Sequence, residues 1–131
     1  MKKGFKENIE ELTVSNNNFR KVLYTSNHSQ LVLMSLLPNE EIGMEVHEDN
    51  DQFFRFEAGT GTVVINDTTY DVKDGDAVVV PAGASHNVIA STLGLKLYTI
   101  YSPAHHKDGI VRATKQEAMD NEADFDGTTT E

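Results

Sequence analysis

Gly75-Asp76-Ala77-Val78-Val79-Val80-Pro81-Ala82-Gly83-Ala84-Ser85-His86 is the stretch that decides the fold of this chain. A glycine turn leads into an unbroken run of strand formers. Pro81 ends that run, because it lacks an N–H for a ladder and fixes its own φ. Gly83 supplies a turn, and His86 follows three residues later. Upstream, Gly43-Met44-Glu45-Val46-His47 closes one strand pattern and Gln52 begins the next. Four candidate metal ligands therefore stand at the ends of strands that can neighbour one another.

Outward from this stretch, strand signals recur at short spacing. Strands are expected over 19–25, 30–37, 43–47, 52–58, 61–65, 68–72, 76–80, 86–90 and 95–101. These segments are rich in β-branched and aromatic residues and are bounded by Gly, Asn, Asp or Pro. Asn66-Asp67 reads as a two-residue hairpin loop, and Lys73-Asp74-Gly75-Asp76 as another turn. Many strands without long helices between them predict an all-β, antiparallel sandwich or barrel. Two short helices are expected. The first covers 5–13; the second covers 114–120, with Thr114 as N-cap and Glu117 three residues on. Residues 1–113 form one domain in this reading, and 114–131 a short helix followed by a frayed acidic tail.

The chain has 131 residues and a net charge of −10, with no cysteine. Disulfides, thiolate metal sites and a cysteine nucleophile are excluded. From Thr114 to Glu131 six acids face a single base, Lys115, so that segment carries −5, half of the total. An acidic chain without clustered cations argues against nucleic acid and anionic membranes as partners. No apolar run approaches the roughly eighteen residues of a membrane span. The start, Met1-Lys2-Lys3-Gly4-Phe5-Lys6-Glu7, lacks an apolar signal segment, so a cytoplasmic location is expected.

Glu45 and His47 leave the same face of an extended chain. Glu48-Asp49-Asn50-Asp51 has turn composition and can bring Gln52 back toward His47. His86 follows the Pro-x-Gly turn. Two imidazoles, one carboxylate and one amide oxygen suit a borderline or hard divalent metal such as iron, manganese, nickel or zinc.

These residues carry a family resemblance. Glycine, five residues, Pro-x-Gly, two residues and histidine is the second motif of the cupin superfamily, met in full by Gly75, Pro81, Gly83 and His86. The first motif has His-x-His, four residues, Glu, six residues and Gly. Glu45, His47, Gln52 and Gly59 keep its spacing, with Glu45 in place of the first histidine and Gln52 in place of the glutamate. Ala90 stands where the second motif has asparagine. The resemblance covers about residues 30 to 102. It implies a double-stranded β-helix, the jelly-roll barrel of cupins, with a divalent metal held by Glu45, His47, Gln52 and His86. The usual ligand set and this one each supply a single negative charge; the acid has changed position. The short chain is also similar to the cupin part of mannose-6-phosphate isomerases, although no basic cluster surrounds the motifs to hold a phosphate.

Phe54 and Phe56 alternate with Gln52 and share its face, so they line the pocket or the core. Arg55 points the other way, with Glu57 as an ion-pair partner. Tyr98 and Tyr101 lie on the last strand, and either hydroxyl can approach the metal. Ser102-Pro103-Ala104-His105-His106 is similar to the loop after the last strand of small bacterial cupins. One of its two histidines, with His105 the pocket candidate, can reach the barrel mouth and move a proton near neutral pH. His28 and Asp49-Asn50-Asp51 read as turns.

The resemblance implies a metal-dependent enzyme acting on a small polar metabolite, of dioxygenase, isomerase or lyase type. The alternative is a non-catalytic cupin binding a sugar or metabolite in the same pocket. A homodimer is expected, with the apolar strands between Phe19 and Leu37 supplying surface to cover.

Overall fold

The computed structural model describes residues 1–131. Its strands are β1 (Arg20–Thr25), β2 (Gln30–Leu36), β3 (Asp51–Ile65), β4 (Thr68–Lys73), β5 (Ala77–Val80), β6 (His86–Ser102) and β7 (Val111–Arg112). Two helices, α1 (Ile9–Ser15) and α2 (Lys115–Asp120), stand near the ends of the chain. All strand pairs are antiparallel, in the order β4-β3-β6-β2-β1-β7, with β5 also paired to β3.

The expected segments 52–58 and 61–65 are one strand, and so are 86–90 and 95–101. Each long strand serves two parts of the sheet. The first half of β3 pairs with the second half of β6 (Phe54 with Thr99), and the second half with the first half of β6 (Val63 with Val88). The register slips between Phe56 and Ala58 and again between Gly59 and Gly61. Such slips bend a strand and let one ribbon turn a corner. Gly59 has φ +84°, and a Cβ there would collide with the carbonyl oxygen of Gly94. Only glycine allows β3 and β6 to approach so closely at the corner. The antiparallel double-stranded β-helix expected from the motifs is the fold of this chain.

Segment 43–47 is the exception among the expected strands. It makes a single bridge, Glu45 with His86, through Glu45 N–H to His86 O at 2.8 Å and His86 N–H to Glu45 O at 2.9 Å. Ile42 and Ala90 extend the attachment by donating to Val88 and Glu40. That irregular lap still aligns Glu45 beside His86.

Inward residues Val32, Met34, Phe54, Phe56, Val63, Val88 and Leu97 make the core. Leu33 alternates with Val32 and Met34, yet is 2% exposed, because α1 packs across β2, β3 and β6. The helix starts later than expected. Asn8 caps it by accepting from Glu11 N–H at 3.0 Å. The outer edge of β1 is covered by β7. The apolar residues between Phe19 and Leu36 are thus largely covered within the chain.

The second helix begins as read, with Thr114 Oγ1 accepting from Glu117 N–H at 3.1 Å. The tail beyond it is attached rather than frayed. Lys107 donates to Ala123 at 2.9 Å, Phe125 to His105 at 3.0 Å and Thr130 to Thr25 at 2.9 Å. The Glu131 carboxylate accepts from Lys3 N–H, Gly4 N–H and the Tyr24 hydroxyl. Backbone bonds to the barrel outweigh the net charge of the segment, which lies where carboxylates remain in solvent.

Candidate metal centre

The lap of segment 43–47 on β6 puts Glu45, His47 and His86 at one end of the barrel. One ligand atom from each lies within 4.8 Å of the others. His47 Nε2 and Glu45 Oε2 are 2.9 Å apart. Ligands bound at about 2.1 Å to one ion, at right angles, stand about 3 Å apart. The peptide turn beside them is fixed by Gly83 N–H donating to His47 O at 2.9 Å. His86 Nδ1 lies 3.0 Å from the Ala84 carbonyl. A carbonyl only accepts, so Nδ1 carries the hydrogen and the neutral ring presents a bare Nε2 lone pair.

Glu45 and His47 line a cavity of about 560 Å³ beside the C-terminal segment, and His86 is buried behind them, its ring 5.3 Å from that of His47. Glu45, His47, His105, His106, Glu122 and Asp124 contribute to its walls. Gln52 and Tyr101 are buried, at 3% and 2% exposure. Gln52 Nε2 donates to Thr99 Oγ1 at 3.0 Å, while its Oε1 is buried without a partner. Tyr101 is 5.7 Å from His47, centroid to centroid, and its hydroxyl is 3.3 Å from His106 Nε2. His105 lies 4.3 Å from His47 by the same measure.

Phe54 and Phe56 are fully buried and stack at 6.3 Å; Phe54 also meets His86 edge-on. Phe54 thus packs directly against a candidate ligand, and Phe56 backs Phe54. Tyr98 is a correction to the pocket set. It occupies the other parity of β6 from Leu97, Thr99 and Tyr101, is partly exposed and packs against Phe53. Arg55 pairs with Glu57 at 3.0 Å on that outer side. Within Asp49-Asn50-Asp51, Asn50 is buried and donates to the Pro103 carbonyl at 2.6 Å, so this turn ties the histidine loop to the barrel.

Charges in the cavity are set by competing effects. Burial favours a protonated Glu45, but the hydrogen bond and charge of His47, with Arg20 and His86, hold its carboxyl below the usual value. Burial pushes His86 and His105 down. Burial, reinforced by Arg20, brings His106 down to about 2. The Tyr101 hydroxyl is pushed up, chiefly by burial.

The model of the cupin domain matches residues 32–101. The chain is a cupin. It is 45% identical over 116 residues to an uncharacterised protein of Acanthamoeba polyphaga mimivirus, covering 85% of this chain and 72% of that one. The uncharacterised protein YrkC of Bacillus subtilis is 44% identical over 124 residues, 89% of this cupin and 67% of YrkC. A crystal structure of a Bacillus halodurans protein superposes with a TM-score of 0.89 at 40% identity, covering 91% of this chain and 96% of the other. The cupin domain of Cnp3 from Schizosaccharomyces pombe gives 0.65 at 18% identity over 70% of this chain and 66% of that one, a likeness of fold alone.

The residues of this cupin fit a divalent ion. Three ligand atoms converge, His86 presents an unprotonated nitrogen, and a buried amide oxygen lacks any partner. An orphaned buried acceptor costs about 1–3 kcal/mol, which a cation would offset. Glu45, His47 and His86 could therefore hold a metal.

Three site residues were invisible to motif reading. Arg20, on β1, lines the same cavity. It is a cation that spacing within the motifs could not reveal, although its shared parity with buried Val22 is a signal. Thr99 orients Gln52. Gln30, wholly buried, fastens the backbone of the histidine loop.

Proposed function

We propose that this cupin is a metal-dependent enzyme acting on a small polar metabolite, with iron, manganese, nickel or zinc held by Glu45, His47, Gln52 and His86. One observation carries the reading: ligand atoms of Glu45, His47 and His86 lie within 4.8 Å of one another, and Glu45 and His47 open onto a cavity. A divalent ion supplies Lewis acidity or oxygen activation, which dioxygenase, isomerase and lyase chemistry each use. The chain's own groups orient the metabolite and handle protons. The Tyr101 hydroxyl, kept protonated by burial, is a donor. His105, kept neutral, is a proton acceptor at the cavity wall. Phe54, buried edge-on to His86, keeps water from that side of the ring.

Binding of a sugar or metabolite without turnover is the second reading. It is favoured by the contact of Glu45 with His47, which already pairs one atom of each side chain. Elemental analysis separates the two. Protein purified without added metal is expected to carry about one divalent ion per chain, and His47→Ala and His86→Ala to lose it. Folded variants that keep full occupancy would make the ligand assignment wrong.

A homodimer is the proposed assembly, now on different surface from the covered strands. Leu37 and Leu93 are 63% and 72% exposed, and the Asn39 N–H bond to Ser91 brings their loops together. Sedimentation at micromolar concentration that shows monomer alone rejects it.

A further inference from the structure

Arg20 leaves β1 with its backbone paired to Met34 on one side and Arg112 on the other. Its side chain lines the cavity that holds Glu45, His47 and His105. The guanidinium carbon sits 5.4 Å from the Phe19 ring centroid. Its Nε is buried and has no hydrogen-bond partner. The ion pairs of the molecule are His47 with Glu45 and Arg55 with Glu57, so no carboxylate is in direct contact with Arg20. Arg20 shares the lining of this cavity with Glu45, His47, His105 and His106, and its positive charge is felt at Glu45, Tyr101, His105 and His106.

A buried guanidinium donor without an acceptor is costly. The cost is relieved when an anion enters, and the planar fork of arginine matches a carboxylate with two parallel hydrogen bonds. The charge balance agrees. A divalent ion beside one carboxylate, Glu45, leaves the ligand cluster with net positive charge, and Arg20 adds another. Glu122 and Asp124 also line the cavity, with Lys115 as their one cationic neighbour there besides Arg20, so the lining has little excess positive charge for a doubly charged phosphate.

We propose that Arg20 is the anchor for the carboxylate of a small organic acid, whose second oxygen group, a hydroxyl, oxo or further carboxylate, faces Glu45, His47 and His86. The second half of this statement rests on the metal reading above; the anchoring by Arg20 does not.

Malonate, malonamide and inorganic phosphate are the probes, titrated calorimetrically into full-length protein, both loaded with Mn²⁺ and stripped by chelator. Malonate is expected to bind the parent, and Arg20→Gln to weaken it about tenfold or more while retaining the parent's metal content. Arg20→Lys keeps the charge but loses the fork, and is expected to restore part of the affinity. Malonamide, which has no charge, should bind no more weakly to Arg20→Gln than to the parent. Malonate affinity in a folded Arg20→Gln equal to the parent's overturns the proposal. So does an Arg20 dependence shown by phosphate and not by malonate. If Arg20→Gln does not fold, Arg20→Lys decides: affinity indistinguishable from the parent's overturns the anchor. Should the parent take up no Mn²⁺, the metal reading fails, yet Arg20-dependent malonate binding by the stripped protein still upholds the anchor.

Discussion

Gln30 and His106 are joined at both ends of one amide, although 76 residues separate them. Gln30 Nε2 donates to the His106 carbonyl at 2.7 Å, and Gln30 Oε1 accepts from the His106 N–H at 3.0 Å. The same side chain also bonds Thr25 Oγ1 and the His105 N–H. A side chain with no exposed surface thus does for the histidine loop what a neighbouring strand does inside a sheet. It fixes where two imidazoles meet the cavity.

Gln30→Leu removes this clamp while keeping similar bulk. It leaves buried backbone groups of residues 105 and 106 unpaired, so a loss of about 2–4 kcal/mol is expected in urea unfolding. Metal content should be unchanged, because none of the ligands belongs to that loop. A variant as stable as the parent removes the clamp from the account.

Thr99 tests Gln52 without touching it. Thr99→Val removes the acceptor that holds Gln52 Nε2 and frees the amide to turn. A fall of about tenfold in metal affinity is expected, measured by competition with a chelator, since groups that orient ligands have effects of this size. Gln52→Leu should fall further. Unchanged affinity in both removes Gln52 from the ligand set.

His106 makes stability depend on pH. Its ordinary value is 6.5, and burial first, with the Arg20 charge second, lowers it to about 2 in the folded protein. Between these values the unfolded chain binds a proton that the folded chain does not. Stability therefore rises with pH across this window and is lost as pH falls below about 6.5, by at most about 1.4 kcal/mol per unit from this group. His106→Gln is expected to flatten that slope in urea melts taken from pH 7 to pH 4. An equally steep slope in the variant assigns the effect elsewhere.

Gly59→Ala probes the corner of the barrel. The residue has φ +84°, and the new methyl would meet the Gly94 carbonyl. Left-handed backbone and forced separation of β3 from β6 together should cost about 2–4 kcal/mol. Gly75→Ala serves as the comparison, since it shares the positive φ and has open space around it. Thermal melts should show the larger drop for Gly59→Ala; equal drops leave only the dihedral effect.

The sequence by itself determined the fold class and named the three residues whose ligand atoms converge, Glu45, His47 and His86. Proline and glycine punctuate the backbone locally, and the spacing from Gly75 to His86 admits few alternatives. The alternation of Gln52, Phe54 and Phe56 was legible for the same reason, because side chains in a strand take opposite faces in turn. Tertiary structure decided what local periodicity cannot express. The parity that sends Tyr101 inward and Tyr98 outward depends on how β6 pairs with β2 and β3. Continuity of β3 through Gly59 depends on a collision avoided with Gly94, far along the chain. The acidic tail looks free in composition, yet its backbone finds partners at His105 and Thr25. Arg20 is an ordinary strand residue in the sequence; only closure of the barrel brings its unpaired guanidinium to the cavity of Glu45 and His47.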